Sequence, residues 1–402
     1  MKVYLDNHSA TKLDERVFEA MLPYLKDYYG NPQSMHDLGS QTKQAIDLAR
    51  KQVASLINAN ANEIYFTSCG SESNNLAIKG VALAYKDKKK HIIVSQIEHF
   101  SVLNSARRLQ NLGFEVSYLP VDKEGFILFD ELEKSIKEDT ILVSIQHSNP
   151  EIGTIQDIKK VVEICHKRGV LVHTDAVSSC GVVPIDVKEL GVDLLSLSAN
   201  QFHGPKGIAA LYIKKGVKVV PLIDGGVQEN NIRAGTENVA GIVGMGVAAE
   251  IAKQELEQNY KKMVKLRDKL IKEISARINY VYLNGSIEKR LPNNVNFSFE
   301  FIEGEGLTLL LNSKGIYVTS GSSCASKNLK MSHVLTAIGV DPAVGQGTIT
   351  MTLSKYNTEE EINYVLEVLP ELVDKLRSIS PLYSYFLQTG QRKPAGPGTE
   401  YE

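Results

Sequence analysis

Cys324 is the residue whose type and setting best suit covalent chemistry. It lies in the segment 319–326, Thr-Ser-Gly-Ser-Ser-Cys-Ala-Ser, in which every neighbour is small. A nucleophilic thiol needs access and freedom to move, and such a loop provides both. Cysteine is also often an inert core residue. The polar surroundings leave these two interpretations open.

Small polar residues also mark an expected anion site. The segment 66–75 reads as the end of a strand that runs into a helix, and it contains Gly70 and Ser71. Backbone N–H groups and the helix dipole favour an anion at such a turn, so a phosphate is expected near these two residues. An ordinary capped turn between strand and helix is the alternative.

Asp175 ends another predicted strand, in the run His173-Thr174-Asp175-Ala176. Ligands of open α/β sheets bind at the carboxyl ends of the strands. A carboxylate at that position can pair with a protonated ring nitrogen, as pyridoxal phosphate (PLP) requires for its electron sink. A helix N-cap is the alternative role, because Asp is a preferred capping residue.

The elements that must position these residues alternate between strands and helices from about residue 41 to residue 215. Strands are predicted at 92–94, 116–121, 141–145, 170–172, 194–197 and 208–213. A helix separates two of them, because apolar residues recur at the spacing of one helix face at Ile158, Val161, Val162 and Cys165. Strands separated by helices indicate a mostly parallel sheet covered on both sides.

A charged helix from about residue 241 to residue 274 is expected to leave this large unit. A smaller α/β unit follows from about residue 280, and its last helix opens with a capping box at Thr358. We therefore predict a large domain at 12–258 and a small domain made of 1–11 and 259–387. The small domain carries the Cys324 loop, and residues 388–402 are predicted to form a mobile tail.

The composition excludes several classes of function. The 402 residues include 45 Lys and Arg against 47 Asp and Glu, so a net charge of −2 gives no global field for nucleic acid. No apolar run has the length of a membrane helix, and the N-terminus does not resemble a signal peptide. The four cysteines, at 69, 165, 180 and 324, show no close metal-binding spacing. We expect reduced thiols and a cytoplasmic protein.

Taken in order, these segments resemble the NifS/IscS-type cysteine desulfurases, PLP-dependent proteins with an aminotransferase class V-like fold. The resemblance runs from Tyr4 to Tyr383 and rests on motifs at 30–32, 67–80, 98–99, 204–207, 233–236 and 320–324. It implies a mostly parallel seven-stranded sheet, a smaller C-terminal α/β domain and a homodimer. It also implies conversion of L-cysteine to L-alanine, with sulfur passed as a persulfide to an iron–sulfur scaffold protein or another acceptor.

Residue by residue, the resemblance implies that Cys324 carries the persulfide. It implies that His99 stacks on the pyridine ring and that Asp175 pairs with the ring nitrogen. The residues implied for the phosphate are Gly70, Ser71, Ser198 and Thr236, with Thr236 a candidate to act from the partner subunit.

The chain departs from the family pattern around the implied cofactor. Gln201 stands where the family has the Schiff-base lysine, and Asn200 replaces the histidine before it. Pro150 and Ser178 replace residues that contact the PLP hydroxyl, and Thr350 replaces the arginine that clamps the substrate carboxylate. A carboxamide cannot form an imine, and the loss of a bidentate arginine removes both charge and orientation.

Three functions are compatible with these departures. The main hypothesis is sulfur relay or iron–sulfur assembly through Cys324, as persulfide carrier or as cluster ligand shared with a scaffold, without normal PLP chemistry. The second is a PLP-dependent desulfurase with an unusual base or an engineered Lys-to-Gln form. The third is a non-catalytic binding partner. Cys165 is expected in the core, whereas Cys69, Cys180 and His36 are weaker candidates for a thiol or metal site.

Overall fold

The computed structural model describes residues 1–320 and 331–392. Cys324 and its loop, as well as residues 393–402, lie outside the described residues. The chain begins with the short strand β1 (Val3–Tyr4), and helices α1 (Glu15–Lys26) and α2 (Asp37–Leu56) lead into the large unit.

The large unit alternates strands and helices as the sequence predicted. In chain order its elements are β2 (Ile64–Thr67), α3 (Gly70–Asn75), α4 (Val81–Tyr85), β3 (His91–Ser95), α5 (Phe100–Gln110), β4 (Glu115–Leu119), α6 (Phe129–Ser135), β5 (Thr140–Ser144), α7 (Ile158–His166), β6 (Leu171–Asp175), α8 (Val187–Leu190), β7 (Leu194–Ser198) and β8 (Ala209–Ile213). A π-helical turn at Leu76–Gly80 joins α3 to α4.

These strands form one seven-stranded sheet in the order β2-β8-β7-β6-β5-β3-β4. Strand β8 is antiparallel to both neighbours, and the other pairs are parallel. In β3, Ile93 packs into one apolar cluster while Ile92 and Val94 pack into another. Both faces of the sheet are therefore covered, which explains the continuous apolar strands. The predicted fold class is confirmed.

Helix α9 (Val239–Arg277) connects the large unit to the small one, as predicted. The remaining elements are β9 (Val281–Leu283), β10 (Asn294–Phe299), α10 (Gly304–Ser313), β11 (Ile316–Tyr317), α11 (His333–Ala337), α12 (Pro342–Gly345), β12 (Thr348–Thr352), α13 (Glu359–Ser378) and α14 (Pro381–Thr389). Strands β12, β10 and β9 form an antiparallel sheet, and β11 pairs in parallel with β1. The last helix reaches Thr389, so helical structure continues slightly beyond the predicted start of the tail at 388. The domain boundaries stay a prediction.

The N-terminal segment connects the two units. Asn7 Nδ2 donates to the carbonyl oxygen of Thr352 at 2.7 Å, and the two residues are 345 positions apart. The His8 N–H donates to Thr352 Oγ1 at 2.8 Å. On the other side, Thr11 Oγ1 donates to the carbonyl oxygen of Asn200 at 2.5 Å. These contacts place His8 at the carboxyl edge of the large sheet.

Candidate functional site

Most of the predicted site residues gather at the carboxyl edge of the large sheet. Asp175 is the last residue of β6, and Ser198 is the last residue of β7. Gly70 begins α3 after β2, and His99 is the N-cap of α5 after β3. This is the edge at which open α/β sheets bind their ligands.

A chain of hydrogen bonds connects His99 to Asp175. Asn74 Nδ2 donates to Asp175 Oδ2 at 2.6 Å and to Ser101 Oγ at 2.8 Å. Ser101 Oγ lies 2.7 Å from His99 Nδ1, and the Ser101 N–H donates to the same nitrogen at 3.1 Å. His99 Nδ1 is therefore an acceptor, and the proton of the neutral ring lies on Nε2.

Asp175 is a buried carboxylate whose bonding partners are N–H donors. Its Oδ1 accepts from the Val177 N–H at 2.9 Å, and Asn74 occupies Oδ2. Burial raises the pKa of Asp175, and these two donors together with nearby His99 oppose that rise. A protonated ring nitrogen would provide the positive charge that such a carboxylate lacks.

The expected phosphate loop is tightly packed. An added Cβ at Gly70 would lie 2.7 Å from Val177 Cγ2, so a larger residue here would have to displace the Val177 side chain in the segment after β6. Glu72 accepts from the Ser68 N–H at 2.8 Å and pairs with Arg233 Nε at 3.0 Å, which fixes the loop before the helix.

Ser71 and Thr236 are more exposed than the rest of the expected phosphate site. Ser71 is exposed on the first turn of α3. Thr236 is exposed in the loop before α9, and within residues 1–320 and 331–392 it forms no side-chain hydrogen bond to Gly70 or Ser71. The role of Thr236 as a phosphate ligand stays a prediction.

Gln201 lies in the turn that follows β7, and its side chain is held by the N-terminal segment. Its Nε2 donates to the carbonyl oxygen of His8 at 2.7 Å. A carbonyl can only accept, so this contact fixes the orientation of the amide. The neighbouring Asn200 Oδ1 accepts from the Thr11 N–H at 3.4 Å. Ser178 lies in the turn after β6.

These residues fit PLP in part. Asp175 offers a buried acceptor for the ring nitrogen, and His99 lies in the same hydrogen-bonded group. Gln201 offers no amine for a covalent link, and its carboxamide is already bonded to His8. The site therefore fits noncovalent holding of the ring and does not fit the covalent attachment that a lysine would provide.

The two other departures lie where the small unit faces this edge. Thr350 is 1% exposed in the middle of β12, and its Oγ1 accepts from Asn296 Nδ2 at 2.7 Å. Pro150 and Thr350 both line a cavity beside His99. Thr350 offers a hydroxyl in place of a charge, so it cannot form the bidentate ion pair of an arginine.

The weaker candidates for a thiol or metal site have other positions. Cys165 is fully buried, as predicted, and burial raises its pKa to about 12. Cys180 is also fully buried, and burial raises the pKa of its thiol. Cys69 is exposed at the N-cap of α3, and His36 caps α2 by accepting from the Gly39 N–H at 3.2 Å. Among the residues that the structure describes, no group of three or more His, Cys, Asp or Glu is arranged to hold a metal ion.

Sequence reasoning missed four residues that surround a cavity beside His99. They are His8, Glu98, Glu151 and His333. Glu98 belongs to a motif that the resemblance drew on, and Glu151 follows the departure at Pro150, but no local pattern indicates that the two residues line one cavity. The four residues come from distant segments, and only the fold brings them together.

Glu98 predicts a specific dependence of stability on pH. Burial, and to a lesser degree nearby Asp175, raises the pKa of Glu98 to about 8. In the unfolded chain its pKa is about 4.3, so the folded state binds the extra proton between these values and stability falls as pH rises through that window. Glutamine does not titrate. Because the folded and unfolded protonation states differ from pH 5 to about pH 8, we expect the stability of Glu98→Gln to rise by about 4 kcal/mol relative to that of the natural protein between pH 5 and pH 9.

Denaturant unfolding of both proteins at pH 5 and pH 9 measures this change. Glu163→Gln, at an exposed position of α7, is the control and should show no relative gain. Parallel stability curves for Glu98→Gln and the natural protein would show that Glu98 does not titrate in this window.

Fold and site together define a PLP-type α/β protein of the class V aminotransferase architecture. The family model described as Aminotransferase class-V matches residues 3–365. The chain belongs to this family and, within it, to the PLP-dependent cysteine desulfurases of the IscS/NifS type. The resemblance inferred from the motifs is confirmed.

The relatives cover nearly the whole chain. The cysteine desulfurase IscS of Methanosarcina thermophila is 54% identical over 380 residues, which is 94% of each chain. That of Dictyoglomus turgidum is 52% identical over 380 residues, 94% of this chain and 96% of the relative. A solved NifS-like protein superposes with a TM-score of 0.88 at 43% identity, covering 94% of this chain and all of the other. These similarities do not support a non-catalytic role. Among the described helices, none is long and apolar enough to cross a membrane.

Proposed function

We propose that this chain transfers sulfur in iron–sulfur cluster assembly through Cys324. The thiol acts as persulfide carrier or as a cluster ligand shared with a scaffold protein, and the chain works without a covalent PLP link. The class of chemistry is that of the desulfurases to which the chain is similar. The absence of a covalent PLP link is inferred from Gln201. This residue places a carboxamide at the position of the family's lysine, and its Nε2 donates a hydrogen bond to the carbonyl oxygen of His8.

The residues at the carboxyl edge are suited to holding PLP but not to turning over L-cysteine. PLP, when bound, supplies an electron sink for bond cleavage beside the substrate amine. Asp175 would hold the ring nitrogen, and His99 offers its Nε2–H as a donor. Gln201 cannot take up a proton near neutral pH, and Thr350 cannot neutralise a substrate carboxylate.

A thiol role for Cys324 is consistent with these losses. Thiolate is the preferred ligand of iron–sulfur clusters, and one cysteine cannot hold a cluster alone. The remaining ligands would therefore come from a scaffold protein. The proposal includes a homodimer, because two-fold dimers are the commonest assembly, and a reducing cytoplasmic compartment.

A PLP-dependent desulfurase with an unusual base is the second candidate. It is favoured by the hydrogen-bonded group of His99, Ser101, Asn74 and Asp175, which is the part of the site that a bound ring needs. This candidate predicts that L-cysteine is converted to L-alanine, whereas the main proposal predicts no alanine.

The visible absorption spectrum of anaerobically purified protein tests the proposal. After incubation with excess PLP, desalting should remove cofactor that is held only noncovalently, so we expect no retained PLP band and no alanine from L-cysteine. After incubation with ferrous iron, sulfide and a scaffold protein, we expect iron–sulfur charge-transfer bands that Cys324→Ala loses almost entirely. Cys69→Ala, at the other exposed thiol, should keep them. A retained PLP band with alanine formation would contradict the proposal.

A further inference from the structure

An ion cluster joins the large and the small unit, and none of its members lines the cavity beside His99. It consists of Asp14, Arg16, Glu255 and Lys355. Lys355 Nζ donates to Asp14 Oδ2 at 2.6 Å and to Glu255 Oε2 at 3.0 Å, and its side chain is only 11% exposed. One ammonium group therefore connects the segment after β12 with the N-cap of α1 and with the middle of α9.

The charges of the cluster are balanced, with two cations and two carboxylates. Arg16 donates from Nε and Nη2 to Asp14 at 2.9 and 2.8 Å, and its Nη2 also lies 2.8 Å from Glu255 Oε1. Hydrogen bonds from Arg16 and then from Lys355 hold the pKa of Asp14 well below its ordinary value, so this carboxylate is ionised at neutral pH. Loss of Lys355 would leave two carboxylates with one cation, whereas an arginine in its place would keep the balance.

The cluster anchors strand β12, because Lys355 follows this strand by three residues. The carbonyl oxygen of Lys355 also accepts from Lys262 Nζ of α9 at 2.6 Å, which fixes the backbone at this point. Within β12, the Thr350 N–H donates to the carbonyl oxygen of Thr319 at 2.7 Å, and the Thr319 N–H donates back at 3.2 Å. Thr319 precedes Cys324 by five residues in the sequence. The anchored strand therefore pairs with the chain that leads to Cys324.

The same cluster contacts the turn Ala199–Phe202, which carries Gln201. The Asp14 N–H donates to the carbonyl oxygen of His203, the residue that ends this turn, at 3.0 Å. His203 has a φ of 64°, a left-handed conformation that a residue other than glycine keeps only when its surroundings hold it. Lys355 and Gln201 also line one small cavity of about 30 Å³. The cluster therefore touches elements of both units that carry site residues.

We propose that Lys355 is a positioning residue, which fixes β12 of the small unit relative to the Gln201 turn of the large unit. It acts through its charge, which holds one carboxylate from α1 and one from α9 together. Because β12 pairs with Thr319, the same role extends to sulfur transfer through Cys324, and this extension rests on the proposed function. The position of β12 itself does not depend on that function.

Hydrogen exchange of the full-length protein, measured by mass spectrometry, tests the position of β12. Lys355→Met removes the charge and nearly keeps the shape of the side chain, whereas Lys355→Arg keeps the charge. We expect the amides of Thr348–Thr352 to exchange about tenfold faster or more in Lys355→Met, while those of β3 and β5 in the large sheet change by less than about twofold. Lys355→Arg should return exchange in β12 to within about threefold of the natural rate.

A second readout is the rate at which the Cys324-dependent iron–sulfur bands form with a scaffold protein. We expect this rate to fall about tenfold or more in Lys355→Met and to recover to within about threefold in Lys355→Arg, with the bands at unchanged wavelengths. If the natural protein forms no such bands, the sulfur-transfer proposal fails, whereas the exchange experiment still decides the role of Lys355.

Controls separate a positioning role from a general loss of stability. Lys269→Met is the matched control, because Lys269 pairs with Glu359 outside the cluster and should leave both readouts unchanged. Circular dichroism shows which variants fold. If Lys355→Met does not fold, Glu255→Gln, which removes one of the two charges that hold Lys355, should still accelerate exchange in β12 by about threefold. Unchanged exchange in β12, equal acceleration in β3 and β5, or failure of Lys355→Arg to restore β12 would overturn the proposal.

Discussion

Replacing Gln201 with lysine is expected to give a protein that holds PLP covalently, at about one equivalent per chain where the natural protein holds none. The lysine would lie in the turn after β7, at the same carboxyl edge as Asp175 and His99. An amine there can form the imine that a carboxamide cannot form. The Gln201 side chain already extends as far as the His8 carbonyl oxygen, and a lysine side chain is only one atom longer.

Borohydride reduction followed by intact-mass measurement gives the count of covalent adducts. Asn200→Lys is the matched control, because its side chain faces Thr11 instead and should form no stoichiometric adduct. Turnover of L-cysteine by Gln201→Lys should remain low, since Thr350 still provides no clamp for the carboxylate. A reducible adduct in the natural protein would reveal another reactive lysine and would contradict our interpretation of Gln201.

The second large effect concerns stability, and it arises from Glu229. Its two carboxylate oxygens accept from both terminal nitrogens of Arg50 at 2.7 Å, and Oε2 also accepts from the Phe66 N–H at 2.8 Å. The Glu229 side chain is only 3% exposed. We expect Glu229→Gln to lose about 3–5 kcal/mol of unfolding free energy, because it leaves a partly buried guanidinium without its counter-charge.

Denaturant unfolding of Glu229→Gln against the natural protein measures this loss. Glu257→Gln is the control, because Glu257 pairs with Lys261 on an exposed face of α9 and should change stability by less than about 0.5 kcal/mol. A loss below 1 kcal/mol for Glu229→Gln would mean that water stabilises the charge of the Arg50 guanidinium once the carboxylate is gone. The expected loss also bears on the site, since Phe66 lies in β2, the strand that leads through Thr67 to the loop before Gly70.

Much of the large unit was predictable because its strands are buried on both faces. Adjacent apolar residues at 141–145 predict strand β5, and apolar residues at regular helical spacing predict α7. The site was predictable only as far as single motifs reach. Motif matching identified Gln201 as a departure, but the partner of its side chain is 193 residues away and no local pattern points to it.

The cavity beside His99 shows the same limit. Three of its lining residues lie at positions 98, 151 and 333, and each is an ordinary residue in its own segment. Only tertiary packing brings these distant segments together. The sheet shows the same limit of sequence-based prediction. Strand β8 lies antiparallel between β2 and β7, and alternation of strands and helices alone does not predict this position.

The position of the N-terminal segment has a consequence for how the protein is made. Strand β1 and residues 7 and 8 bond to β11 and β12, which leave the ribosome more than 300 residues later. The large sheet can form while synthesis continues, whereas these first residues must wait for the small unit. Since His8 holds Gln201, the carboxyl edge reaches its final form last. During translation the nascent chain therefore carries a folded sheet with an unfinished site, a state that a chaperone can recognise.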